Sequence, residues 1–160
     1  METKELLFEL SKVFFPLEVA ENFEIAEIDF FKDYIIIRFN ELPESVPSEL
    51  SGVDGIIKDG FLNPLELQSF PAKGKPVYLK VYRRRWKVQG EQKLYWNNYD
   101  LKPLGIKATR RFAYFVKKLL KSYTSSIRLI SKAMLVEQKK LWRWKKIMIE
   151  EPVDSEFKKI

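Results

Sequence analysis

The chain has no cysteine and no histidine among its 160 residues. That excludes a disulfide framework, a cysteine-based zinc site, a thiol nucleophile and any Ser-His-Asp triad. Glycine is scarce and scattered, with six residues. "AKGKPV", residues 72–77, lacks the glycine spacing and the Ser/Thr of a phosphate-cradling loop. No apolar run approaches the roughly 18 residues that a membrane span needs. The first thirty residues are acidic and interrupted by Pro16, so they lack the basic start and long apolar stretch of a signal peptide. A cytoplasmic protein that needs no membrane is the expectation.

What the chain does have is apolar mass and an uneven charge. Hydrophobic residues make up 46%, including twelve Phe, seven Tyr and four Trp, enough to build a core and to argue against disorder of the whole chain. Net charge is +7, yet residues 1–60 hold five Lys/Arg and fourteen Asp/Glu, whereas residues 61–160 hold twenty-four and eight. An anionic partner is therefore to be sought on the later part of the chain, unless the two halves neutralise each other.

Periodicity predicts an α+β fold with an N-terminal helix, antiparallel β-hairpins forming a small sheet, and a C-terminal helical hairpin. Leu6, Leu7, Leu10, Val13 and Phe14 give residues 3–14 a helical face, with Thr3 as its cap. Residues 22–40 read as a hairpin turning at Lys32-Asp33. Residues 41–55 are a loop; 56–76, punctuated by Pro64, Pro71, Gly74 and Pro76, read as a short strand followed by mostly irregular backbone. From Val77 a strand alternates, Val77, Leu79 and Val81 on one face, Tyr78, Lys80, Tyr82, Arg84 and Trp86 on the other. With residues 93–101 it would form a second hairpin around Gly90. Phe112, Phe115, Val116 and Leu119 then mark a helix capped by Thr109. A polar break at 122–126 leads to a second long helix with Ile127, Ile130, Met134 and Leu141 inward, ending before Pro152, with residues 150–160 as a frayed tail.

Chemistry is concentrated on the basic hairpin. "YRRRWK", residues 82–87, sets three arginines between aromatic rings, with Tyr95, Trp96 and Tyr99 on the partner strand. Arginine forks fit phosphates and flat rings stack on bases, so Lys80, Tyr82, Arg83, Arg84, Arg85, Trp86 and Lys87 are candidate DNA contacts, followed by Arg110 and Arg111 on the helix. The competing account is that the rings are cross-strand core pairs with the arginines lying over them. Core packing is at least as good an account of Trp86 and Trp96. The carboxylates Glu24, Glu27, Asp29 and Asp33 suit a solvated, charge-protected hairpin edge better than a metal-dependent nuclease centre. No metal site and no cofactor is called for.

Several of these stretches occur together in a known order. Gly60-Phe61 is followed by Pro64, Phe70-Pro71 by Gly74-Lys75, and a strand ends in Arg83-Arg84-Arg85-Trp86. A helix led by Thr109 then contains Phe112, Ala113 and Phe115. This pattern resembles the N-terminal region proteins of ISAon-type bacterial insertion-sequence transposases, over roughly residues 1–121 and most clearly after Gly60. The hairpin is also similar to the zinc ribbon of related transposases, here in a metal-free version held by aromatic packing. The resemblance implies a non-catalytic, DNA-binding accessory role in transposition. The expected partners are transposon-end DNA and a separate catalytic transposase polypeptide. It implies a domain over 1–121, with 122–160 as a C-terminal helix and tail in which Trp142 and Trp144 have no counterpart. The alternative is a protein-interaction subunit whose basic half docks on an acidic partner without touching DNA.

Overall fold

A computed structural model describes residues 1–122 and 126–152. The fold is α+β, with an N-terminal helix, two sheets and C-terminal helices. Helices α1 (Thr3–Phe14) and α2 (Leu17–Asn22) lead into strands β1 (Phe23–Phe30) and β2 (Ile35–Glu41). Strands β3 (Ile56–Phe61), β4 (Leu65–Ala72), β5 (Lys75–Tyr82), β6 (Arg84–Val88) and β7 (Leu94–Tyr95) follow. Helices α3 (Arg110–Ser122), α4 (Ile127–Met134) and α5 (Gln138–Lys145) come last, α5 running into a π-helical turn at Lys146–Glu150. One sheet has the order β1-β2-β5-β4 and the other β3-β6-β7. The polar break keeps only Ser122 and Ser126 among the described residues, and all but Glu150–Pro152 of the tail lies outside them.

The chain groups into two compact units, and four of the five boundaries between them in sequence fall within β1, β2, β4 and β5. The first comprises Met1–Asp29, Ile37–Glu66 and Leu79–Asp100; the second comprises Phe30–Ile36, Leu67–Tyr78 and Leu101–Ile160. Residues 101–121 therefore group with those that follow them.

The first hairpin turns at Lys32-Asp33 as the sequence indicates, with the Phe31 amide donating to the Tyr34 carbonyl at 2.9 Å. Strict alternation in β2 buries Ile35, Ile37, Phe39 and Glu41. Several local expectations differ from the structure. Thr3 is the first helical residue of α1 rather than its cap; Glu2 precedes it and makes no side-chain cap bond. The stretch expected to be mostly irregular carries β4, because Lys73 and Gly74 both adopt positive φ (53° and 71°). That is the mirror-image turn that matches the twist of a tight hairpin, and Pro71 is tolerated because β4 is an edge strand.

The expected continuous strand from Val77 to Trp86 breaks at Arg83, with β5 and β6 belonging to different sheets. That change of sheet also reverses the expected facing of Trp86, which is only 4% exposed and packs with Leu50 and Val88. The partner strand is short, pairing Trp86 with Tyr95 and Lys87 with Leu94. Finally, the second long helix is two. Leu135 takes a left-handed conformation (φ 56°), and α5 restarts at Gln138. The expected inward residues Ile127, Ile130, Met134 and Leu141 are nevertheless all buried.

The core of the second unit gathers Phe112, Val116, Leu120, Ile130, Leu141, Trp144 and Met148 from its helices. Gln68 ties strand to helices there. Its carbonyl accepts the Thr109 amide at 3.0 Å, and its side-chain amide donates to the Leu135 carbonyl at 2.9 Å. Thr109 Oγ1 accepts the Phe112 amide at 3.4 Å, which bears out its reading as a helix cap.

Candidate nucleic-acid interface

The arginine run is held by its own unit. Arg83 donates from a terminal nitrogen to Asn98 Oδ1 at 2.8 Å. The Arg84 Nε donates to the Glu41 carbonyl at 2.7 Å, and its guanidinium lies 4.8 Å from the centre of the Phe61 ring. Arg85 Nε donates to the Asp59 carbonyl at 2.9 Å, with a terminal nitrogen 3.5 Å from the Asp59 carboxylate. Backbone geometry prepares that last contact. Between Lys58↔Trp86 and Phe61↔Arg84 strand β3 has one residue more than β6, a bulge accommodated by Gly60 at φ 75°. The bulge sets the Asp59 carbonyl beside Arg85, and a Cβ at Gly60 would meet the Arg85 guanidinium at 3.6 Å.

Beneath the run is a residue that was not among the sequence's candidates. Glu41 is fully buried, and both carboxylate oxygens are engaged. Oε2 accepts the Arg84 amide at 2.7 Å, while Oε1 accepts the Asn97 side-chain amide at 2.8 Å and the Tyr99 hydroxyl. Burial, reinforced by the Glu41 carboxylate, pushes the Tyr99 phenol well above its usual range. Three donors to one carboxylate give a satisfied buried network, the kind that fixes a single arrangement of strands. A signal for Glu41 was present: it shares strand parity with Ile35, Ile37 and Phe39 and so had to face inward.

Of the other hairpin candidates, Lys80, Tyr82 and Lys87 are half-buried, and Arg38 covers the Tyr82 ring at 4.1 Å. Trp96 is exposed, whereas Trp86 is core. Seven of the nine candidates, Lys80 and Tyr82–Lys87, thus lie in the first unit. Arg110 and Arg111 open α3 in the second.

Partition of charge by unit differs from partition along the chain. The first unit holds ten Lys/Arg and sixteen Asp/Glu, net −6, and the second holds nineteen and six, net +13. Arg111, Lys118 and Lys121 are exposed on α3, with Phe115 between them in sequence and also exposed. Arg128 and Lys132 on α4, and Lys139 and Arg143 on α5, are exposed as well. Arg110, Lys140 and Lys145 are half-buried, and Lys117 goes further. It is buried, and desolvation followed by the nearby Lys121 charge lowers its ammonium from the ordinary value.

The motifs behind the family resemblance meet in pairs. Phe61 faces Arg84 across β3 and β6 in the first unit. In the second, Phe70 packs edge-on against Phe112 (5.2 Å between ring centres) and Phe115 (5.6 Å). These residues act on the fold before they act on any ligand. Glu24 and Glu27 are exposed on β1, an edge strand, as charge protection of an edge requires. Among the described residues no three or more Asp/Glu are placed to hold a metal ion, and no helix is long and apolar enough to cross a membrane. Comparison with family models, curated proteins and solved structures found no match for the chain.

Proposed function

We propose that this chain is a non-catalytic nucleic-acid-binding module, acting in the cytoplasm as an accessory to an insertion-sequence transposase. The observation that carries the reading is the net charge of +13 on the second unit, with Arg111, Lys118, Lys121, Arg128, Lys132, Lys139 and Arg143 exposed along α3, α4 and α5. A concentration of positive charge on one body attracts a phosphate backbone with little regard to sequence. The resemblance described above supplies the biological setting, with transposon ends as the DNA and a catalytic transposase polypeptide as the companion.

Within this reading the helices replace the arginine run as the principal phosphate contacts. Arg83, Arg84 and Arg85 are half-buried, each held to an oxygen of its own unit. Arg111, Lys118 and Lys121 stand on the solvent side of α3, at the spacing i, i+7, i+10 that keeps side chains on one helical face.

The test is fluorescence anisotropy of a labelled duplex titrated across salt, with Arg111→Gln/Lys118→Gln/Lys121→Gln beside the unaltered chain. The triple variant is expected to flatten the plot of log affinity against log salt by roughly 2 to 3, about 0.9 for each phosphate that is no longer neutralised, equally on all duplex sequences. An unchanged slope would remove α3 from the interface. No binding at low salt by the unaltered protein would overturn the nucleic-acid reading and leave an acidic protein as the partner of the basic helices.

A further inference from the structure

Helix α1 is mounted the wrong way round for a helix that only completes a core. Its apolar side chains Leu6, Leu7, Leu10, Val13 and Phe14 are 41 to 72% exposed. The buried position is Ser11, whose hydroxyl is satisfied locally by the Phe8 carbonyl at 2.8 Å. Phe8 beside it is half-buried, and Phe15 just beyond the helix end packs edge-on against Phe39 at 5.1 Å. At 100° per residue the five exposed apolar residues occupy one continuous face, with Ser11 and Phe8 on the side away from its centre. A contiguous apolar face left in water on a small protein marks an interaction surface.

Charge beside that face says what covers it. Glu2, Glu5 and Glu9 run along one flank of the apolar stripe at helical spacing. Lys12 pairs with one oxygen of Glu9 at 2.8 Å, which leaves the row acidic on balance. A groove of about 420 Å³ opens between α1 and β1, lined by Leu7, Phe8, Phe23, Ile25 and Leu42 and edged by Lys4, Glu5 and Glu24. Leu7 belongs to both the stripe and the groove. Antiparallel pairing with a second α1 would set the acidic rows against each other, which disfavours a second copy of this chain. Anionic lipid is disfavoured by the same charges.

We propose that the outward face of α1, with its acidic flank and the adjoining groove, is the docking site for a basic amphipathic helix of another protein. The partner helix lays leucine-type side chains on Leu6, Leu10 and Phe14, places one in the groove past Leu7, and sets lysines or arginines against Glu2, Glu5 and Glu9. Helix α1 is about 18 Å long, which matches some three turns of partner. The assignment rests on the first unit alone and is independent of nucleic-acid binding by the second.

The probe is a labelled synthetic 14-residue peptide with leucines at i, i+3, i+4 and i+7 and lysines elsewhere. Its control has the same composition with the leucines dispersed around the helix. Anisotropy titration against the full chain is expected to give saturable binding of the amphipathic peptide and at least tenfold weaker binding of the dispersed one. Leu6→Gln/Leu10→Gln is expected to weaken the amphipathic peptide at least tenfold, and Glu5→Gln/Glu9→Gln to weaken it and reduce its salt dependence. All four positions are exposed, so the melting temperatures of both variants should match that of the unaltered chain, and duplex binding should persist. Equal binding of the two peptides, or indifference to Leu6→Gln/Leu10→Gln, overturns the proposal. So does a concentration-dependent dimer in sedimentation that the same double variant converts to monomer, since the occupant would then be a second copy.

Discussion

Replacing Glu41 by leucine is expected to lower the free energy of unfolding by about 3 to 5 kcal/mol, the range for breaking a buried charged network from one side. The cost comes from what is left behind. The Arg84 amide, the Asn97 side-chain amide and the Tyr99 hydroxyl all point into a site from which water is excluded, and leucine offers none of them an acceptor. Glu41→Gln keeps the shape and one oxygen but turns an N–H₂ toward donors, so a smaller loss of roughly 1 to 3 kcal/mol is expected. Urea denaturation of the two variants checks the order. A loss below about 1 kcal/mol for leucine would show that the three donors find water instead.

The same network predicts an alkaline signature. The folded-state pKa of Tyr99 is raised above its ordinary 10.0, by burial first and by the hydrogen bond and charge of Glu41 next. Its contribution to stability is therefore fully present below about pH 10. Above that, the unfolded phenol ionises while the folded one does not, and stability falls by up to about 1.4 kcal/mol per pH unit until the folded group also ionises. Tyr99→Phe should show a shallower decline above pH 10 than the unaltered chain. Parallel declines would show that folding does not raise the Tyr99 phenol.

The second large effect belongs to Trp144. It is 1% exposed in the core of the second unit, with its ring edge-on to Phe112 at 6.3 Å. Trp144→Ala is expected to destabilise by about 3 to 5 kcal/mol, the loss of a large buried ring plus the cavity it leaves, and to reduce helical circular dichroism. Trp142, two residues earlier, is 56% exposed, and Trp142→Ala should change stability by no more than about 0.5 kcal/mol. Two tryptophans of one short helix thus separate by nearly the whole range of single-mutant effects. Comparable losses in both would place the α5 core elsewhere.

The Glu41 and Arg83–Arg85 contacts also show why the arginine run is ambiguous in the chain alone. Three adjacent arginines between aromatic rings have the same composition whether they face phosphate or their own fold. The difference lies in Glu41, Asp59 and Asn98, as many as 43 positions away in sequence. Local spacing cannot encode such proximity; for Asp59 it is created by the pairing of β3 with β6 and by the bulge at Gly60. The division of charge was half-legible for the same reason. A basic later half was countable, but strands β5 and β6 place the arginine run with an acidic unit, and only the folded grouping concentrates +13 on the helical one.

By itself the sequence determined what depends on neighbours within a turn or two. Period-two alternation placed the 22–40 hairpin and buried Val77, Leu79 and Val81; helical spacing placed α1 and α3 and the inward residues of α4 and α5. Tertiary structure decided what depends on contact between distant segments. It split the strand at Arg83 and the helix at Leu135, where Gln68 holds the turn. It also left the apolar face of α1 in solvent. Periodicity reports that a helix has an apolar side. Whether anything comes to cover that side is set by the rest of the chain, and for α1 the rest of the chain packs against the other one.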